Sequence, residues 1–153
     1  MADLKQIENY LERRKLPYKL IDLDQEAFTV ADVVQAGVSE DEVVKTLVVR
    51  VGPNKFVALA LRGSDRIDFK KVRKLFGSKS EFAKPDEVLK VVGVPVGAVC
   101  PILLEIPLYF DRKVMGLDKV HMGSGDLARG LEMRLSDLLK AVEKYEVLDL
   151  SCN

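Results

Sequence analysis

The sequence predicts an α/β fold of the α+β type, in which helices pack around a mixed β-sheet or partial barrel. Three observations predict it. Apolar residues recur at helical spacing in some segments and alternate in others. The two kinds of segment are interleaved without a regular βαβ repeat. A chain of 153 residues with 48% apolar content is long enough for one sizeable core. No linker, low-complexity tract or internal repeat divides it, so residues 1–153 are expected to form a single domain.

The elements follow in order. Leu4, Ile7 and Leu11 draw the stripe of an amphipathic helix over 3–15, ended by Pro17. Tyr18 to Leu23 alternates as a short strand. Thr29 with Asp32 is a capping-box signature for a helix that closes at Gly37, and Ser39 with Glu42 repeats it. Thr46 to Val49 reads as strand, so Lys45 stands where a helix hands over to a strand. Gly52-Pro53-Asn54 turns the chain into a second strand, Lys55 to Leu61, making a hairpin. Asp68 caps a helix through Phe76. Pro85 opens another that ends near Gly93. Ile102 to Phe110, Lys119 to Met122 and Leu131 to Leu135 are strand candidates. Ser136 caps a last helix to about Tyr145, and Glu146 to Leu150 adds a final strand.

Composition excludes several classes of function. The 24 basic and 24 acidic side chains balance, so no chain-wide field draws the molecule to nucleic acid, and such a partner must be met by a local patch. Cys100 and Cys152 are too few for a disulfide framework, although a single 100–152 bridge stays open. Together with the one histidine, His121, they do not supply the three or four ligands of a zinc site. No metal and no cofactor is expected. Neither a signal peptide nor a membrane-spanning run is visible, which predicts a cytoplasmic protein without a membrane partner.

Five features could carry chemistry. Gly93 to Pro101 is an apolar Gly/Pro loop able to hold backbone N–H and C=O groups at a reacting carbonyl, or else a tight connection between buried elements. Lys45 lies among Val43, Val44, Leu47 and Val48. It either snorkels to solvent or meets an anion such as a phosphate. Gly123-Ser124-Gly125 is a turn that could present donors. Arg66, Lys70, Lys71, Arg73, Lys74 and Lys79 give a basic excess, read as a solvated helix face or a phosphate contact. Cys100 and His121, oriented by Asp111 or Asp126, would be a nucleophile pair, against the commoner role of a buried cysteine as a small apolar side chain.

Taken together and in order, these motifs resemble the YbaK/ProX family, the free-standing relatives of the editing domain of bacterial prolyl-tRNA synthetase. Glu42 to Val49 is similar to the family's lysine-bearing strand. Gly97-Ala98-Val99-Cys100-Pro101 fits its GxxxP loop, with Gly93 four residues ahead. Gly123-Ser124-Gly125 and Arg129 to Leu135 resemble its glycine turn and following strand. The likeness runs from the first helix to about Leu139. It implies a trans-editing deacylase that hydrolyses the ester of a small mischarged amino acid, alanine or cysteine on proline tRNA first, with no metal and no side-chain nucleophile. Lys45, Gly97 and Pro101 would be the catalytic set, with Lys45 on a phosphate and the loop backbone at the carbonyl. Gly93, Ala98, Val99, Cys100, Gly123, Ser124, Gly125 and Glu132 would bind substrate. The implied partner is the aminoacyl-tRNA acceptor end, with a synthetase as a second. The alternative is a non-catalytic tRNA- or synthetase-binding module. Cys100 stands where relatives often carry serine, and Glu132 where some carry aspartate, which bears on amino-acid preference.

Overall fold

The computed structural model describes residues 3–77 and 79–153. Helix α1 (Leu4–Arg13) begins where Asp3 and Gln6 cap each other. The Asp3 carboxylate accepts from Gln6 N–H, and the Gln6 side-chain oxygen accepts from Asp3 N–H, both at 2.9 Å. Its stripe takes Ile7 and Leu11 out of solvent, worth roughly 1.5–3 kcal/mol each. After β1 (Lys19–Asp22), helix α2 (Val30–Gln35) carries the expected Thr29–Asp32 capping box. The second expected box does not form. Ser39 makes no side-chain cap bond, and Glu40–Glu42 is one 3-10 turn. Val43 is already bridged to His121 and Val44 opens the next strand, so there is no length left for a helix.

The hairpin is as expected: β2 (Val44–Gly52) and β3 (Lys55–Arg62) pair antiparallel from Val44↔Arg62 to Gly52↔Lys55. Asp68 caps α3 (Phe69–Phe76), accepting from Lys70 and Lys71 N–H. A two-residue strand that the sequence does not announce, β4 (Glu81–Phe82), joins the free side of β2. Pro85 starts α4 (Pro85–Val92), and Gly93 ends it at φ 88°, a left-handed cap that glycine adopts without strain.

The strand expected over 102–110 shortens to β5 (Leu108–Asp111). Pro101 and Pro107 have no N–H to donate, and Leu103 turns at φ 62°. Pairing starts only where Ala58 N–H reaches Pro107 C=O at 2.8 Å. A 3-10 stretch, Arg112–Gly116, leads to β6 (Lys119–Gly123) and β7 (Arg129–Arg134). Helix α5 (Leu135–Val142) begins one residue before Ser136, without that cap, because Leu135 N–H is taken by Asp118 C=O at 2.7 Å. β8 (Glu146–Leu148) stops early because the N–H groups of Leu150 and Ser151 go to the Asp111 carboxylate.

The strands form two open sheets, not a closed barrel. One has the order β1-β7-β6, all antiparallel, and the other β4-β2-β3-β5-β8. In the larger sheet β3, β5 and β8 run parallel, so it is mixed, as expected. The sheets meet at the Val43–His121 bridge. The main core lies between them and α1 and α5, with Phe110, Leu131 and Leu138 wholly buried. A second core beneath α3 gathers Val49, Leu59, Leu61 and Val72. Cys100 is buried, Cys152 is exposed and both are free thiols, so the 100–152 bridge is absent.

Asp111 fastens the C-terminal segment. Its buried carboxylate accepts from Leu150 N–H at 2.8 Å, Ser151 N–H at 3.1 Å and the Ser151 hydroxyl at 3.0 Å. Asp111→Ala strands those donors in the interior and is expected to cost about 3 kcal/mol or more. Chemical denaturation of the two proteins measures it; equal midpoints would refute this role.

Candidate functional site

A cavity of about 310 Å³ opens between the two sheets. Its walls come from the β1–α2 connection (Leu23, Ala27, Phe28), from α2 (Val30, Val33), from the start of β2, from the loop after α4 (Val96, Gly97, Val99) and from β6 and the turn beyond it. Segments from both halves of the sequence thus converge on one mostly apolar space, the usual form of a small-ligand site.

Glycines make that convergence possible. Gly97 sits at φ +95°, and a Cβ there would stand 2.8 Å from the Phe28 carbonyl oxygen. A Cβ on Gly123 would overlap the Val99 carbonyl oxygen and stand 2.9 Å from the Ala98 carbonyl carbon. The 97–99 backbone is therefore held between the β1–α2 connection on one side and β6 on the other, closer than any side chain permits.

Lys45 reaches the cavity from β2. Its half-buried ammonium donates to Gly63 C=O at 3.2 Å and to Asp65 C=O. Two of its three N–H donors are thus fixed on one turn, and a third has no partner among the described residues. The turn is itself clamped: the Arg62 guanidinium grips the Asp65 carboxylate through Nε at 2.7 Å and Nη2 at 3.2 Å. That hydrogen bond holds the Asp65 carboxyl below its ordinary range. Burial pushes the Lys45 ammonium pKa down, and Asp65 opposes the shift.

The first half of β2 also exposes backbone to the cavity. Val48 C=O accepts from Ala83 N–H at 3.0 Å, on the side away from β3. Alternation in an antiparallel strand turns the N–H and C=O of Thr46 to that same side, where no strand of the described residues covers them before β4 pairs at Val49. The Thr46 hydroxyl and His121 Nε2 are both buried without a hydrogen-bond partner among the described residues, and both residues line the cavity. His121 is 2% exposed. Its ring lies over Gly130, where any Cβ would overlap it.

Of the residues expected at the site, Lys45, Gly97, Val99 and Gly123 line the cavity. The others stand behind it. Ala98 N–H donates to Pro95 C=O and its own C=O accepts from Gly125 N–H, at 3.0 and 2.8 Å. The Ser124 hydroxyl closes the turn on Arg129 C=O at 2.7 Å. Gly125, at φ +94°, lets the turn pass against the start of α1. Gly93 is the α4 cap. Glu132 lies across from His121 on β7 and meets Lys119 at 3.4 Å. Pro101 lines a separate groove beside Tyr10 and Leu103.

Cys100 is buried in the main core and does not line the cavity, so it makes no pair with His121 there. Burial pushes its thiol up to about 12, far from the thiolate that nucleophilic chemistry requires. Alkylation of the native protein is expected to label Cys152 and spare Cys100; peptide mapping reads the outcome, and rapid labelling of Cys100 would contradict it.

Sequence reasoning missed Thr46, Phe28, Phe82 and Leu127 as cavity residues and considered His121 only as a partner of Cys100 or a zinc ligand. The usable signals were slight: Thr46 follows Lys45, and His121 is the only histidine, set between apolar neighbours in a strand.

His121 also carries a pH prediction. Burial lowers its pKa below the ordinary value, against an upward pull from Glu132 and Glu42. The folded protein therefore binds that proton less well than the unfolded chain. Stability contributed by neutral His121 is full above about pH 6.5 and declines as pH falls toward the lower folded value, by at most about 1.4 kcal/mol per pH unit. Denaturation midpoints at pH 7.0 and 5.5 should differ in the wild type and differ less in His121→Gln; equal differences would refute it.

A sequence model of the aminoacyl-tRNA editing domain matches residues 24–141, which bears out the YbaK/ProX-type resemblance. Proline--tRNA ligase of Legionella pneumophila (strain Lens) is 30% identical over 90 residues, covering 58% of this chain and 16% of the ligase. This chain thus spans only a small part of the length of such ligases. The uncharacterized protein YwhH of Bacillus subtilis (strain 168) is 25% identical over 138 residues, 88% of each chain. Among solved structures, the hypothetical protein APE2540 superposes with a TM-score of 0.83 at 31% identity, over 95% of this chain and 99% of its own. A candidate trans-editing enzyme for prolyl tRNA synthetase superposes with a TM-score of 0.82 at 25% identity, over 100% of this chain and 99% of its own.

Proposed function

Because this chain belongs to the aminoacyl-tRNA editing domain family, we propose that it is a trans-editing deacylase that removes a small mischarged amino acid from tRNA, alanine or cysteine on proline tRNA first. The observation that carries this reading is the single cavity bounded at once by Lys45, the open edge of β2 and the Gly97 loop. In the reaction a water oxygen attacks the ester carbonyl carbon and the ester C–O bond breaks. The ribose oxygen takes a proton, releasing the amino acid and the intact tRNA.

Each proposed part has a physical task. The free donor of Lys45 holds a phosphate near the terminal adenosine. Thr46 N–H and the Gly97 loop face the carbonyl oxygen, where fixed donors stabilise the charge that develops. Pro101 touches no substrate in this scheme and stiffens the end of the loop. The apolar walls exclude water from the amino-acid side chain. An aminoacyl ester is labile enough for positioning and backbone electrostatics to supply much of the acceleration. The whole of residues 1–153 acts as one editing unit in this proposal, in the cytoplasm, and a prolyl-tRNA synthetase is its second partner. No helix among the described residues is long and apolar enough to cross a membrane.

The test is hydrolysis of a panel of mischarged tRNAs by the purified protein. Release of alanine or cysteine from proline tRNA, with correctly charged tRNA spared, is the expected result. Binding of the acceptor end without turnover of any ester would replace the enzyme by a binding module.

A further inference from the structure

The cavity rim leads onto a basic surface that the reaction scheme leaves unused. Phe82 lines the cavity yet is 54% exposed. Its ring packs edge-on against Phe69, the first residue of α3, with centroids 4.9 Å apart. The basic helix therefore starts at the cavity mouth. Next to it, across β4, a groove of about 440 Å³ is lined by Arg50, Arg73 and Lys79, with Glu81 as its one acid. Glu81 is engaged by Arg50. Arg73 spends Nε on Ser80 C=O at 3.1 Å, and its guanidinium carbon stands 5.4 Å from the Phe69 ring.

The charge is concentrated here. Between residues 66 and 84 there are seven basic side chains (Arg66, Lys70, Lys71, Arg73, Lys74, Lys79, Lys84) against two acidic ones (Asp68, Glu81), in a chain whose net charge is +0. Lys71 is committed to Asp149 and to Ser151 C=O, at 3.0 and 2.7 Å. Lys70, Lys74 and Lys79 are exposed, with no ion pair among the described residues. Helix electrostatics accounts for Arg73 and Lys74 in the last turn of α3. It disfavours Lys70 in the first turn, where the dipole is positive.

We infer that this face, α3 together with the groove beside β4, holds the phosphate backbone of the RNA strand whose 3′-end enters the cavity. The inference rests on the deacylase reading for its ligand. Three exposed unpaired cations contiguous with the rim suit a polyanion approaching along one side. Phosphate contacts of this kind position a nucleic acid without reading its sequence.

The test uses the full chain and the triple variant Lys70→Gln, Lys74→Gln, Lys79→Gln, none of which takes part in the proposed chemistry. Two substrates are compared: full-length mischarged tRNA, and the same amino acid esterified to adenosine alone. The expected result is a KM for tRNA raised about tenfold or more, kcat unchanged, and no change on the adenosine ester. The slope of log kcat/KM against log salt for tRNA should become shallower by about 2, at roughly 0.7–0.9 per lost phosphate contact. An unchanged KM and slope for tRNA would overturn the inference while leaving the deacylase reading intact. Where the wild type cleaves neither substrate, that reading fails, and binding of uncharged tRNA decides the surface. Salt-dependent binding that the variant loses supports the inference, and equal binding by both proteins overturns it. Loss confined to phosphatidylserine vesicles, with RNA binding kept, also overturns it.

Discussion

Replacing Lys45 by alanine is expected to lower kcat/KM for the mischarged tRNA by a factor of about 10²–10³, the usual range for deleting one preorganised donor. Its melting temperature should move by only a few degrees. The asymmetry comes from the geometry. Lys45 is half-buried, and its ammonium is held by two backbone carbonyls, Gly63 and Asp65, and by no carboxylate among the described residues. Removing it costs two hydrogen bonds from a half-buried donor to backbone carbonyls, about 0.5–1 kcal/mol net each. The Gly63–Asp65 turn is separately secured by the Arg62–Asp65 pair, so the wall of the cavity should stand. Lys45→Arg is expected to recover only part of the rate, because a planar fork cannot place one point charge where the ammonium stood. Wild-type kcat/KM in Lys45→Ala would remove this residue from the proposed site.

The second large effect belongs to Gly123→Ala. The added methyl overlaps the Val99 carbonyl oxygen and crowds the Ala98 carbonyl carbon. Neither atom belongs to a side chain that can rotate away. Relief requires β6 or the 97–99 loop to move by several tenths of an ångström, and the loop is blocked on its far side because Gly97 lies against the Phe28 backbone. Overpacking of this kind typically costs about 1–3 kcal/mol, which for a chain of this size lowers Tm by roughly 2–4 °C per kcal/mol. Activity should suffer more than stability, since a displacement near 1 Å at a reacting group can cost about 10² in rate. Thermal melts and deacylation rates together test this; a variant with wild-type Tm and wild-type rate would show that the close approach is not needed.

The two predictions sit at opposite ends of what could be read beforehand. Lys45 stands out in the one-dimensional string, a cation inside an apolar run at the start of a strand. Gly123 is legible only as part of a turn. Its close contact is with residues 98 and 99 on another segment, and no local pattern reports it. The family motifs brought both residues forward. The same motifs also brought forward Cys100 and Ser124, which the fold holds behind the cavity wall, and Pro101, which it places in a separate groove.

What the sequence determined by itself is what neighbouring residues decide between them. Asp3 with Gln6 and Thr29 with Asp32 satisfy each other's backbone within one turn. Asn54, in the left-handed region at φ 53°, returns β2 into β3. Apolar spacing selects the buried faces of α1 and α3, because 3.6-residue periodicity needs no distant partner. The tertiary structure alone decided the rest. Ser39 and Ser136 carry cap chemistry that goes unused because Val43 and Leu135 are already engaged by His121 and Asp118. β4 exists only because β2 presents a free edge. The pocket that unites Lys45, Thr46, Gly97 and His121 arises from contacts between segments about 25 to 75 positions apart. Such contacts form only when burying the whole core outweighs the entropy of bringing distant segments together, a balance no short stretch of sequence contains.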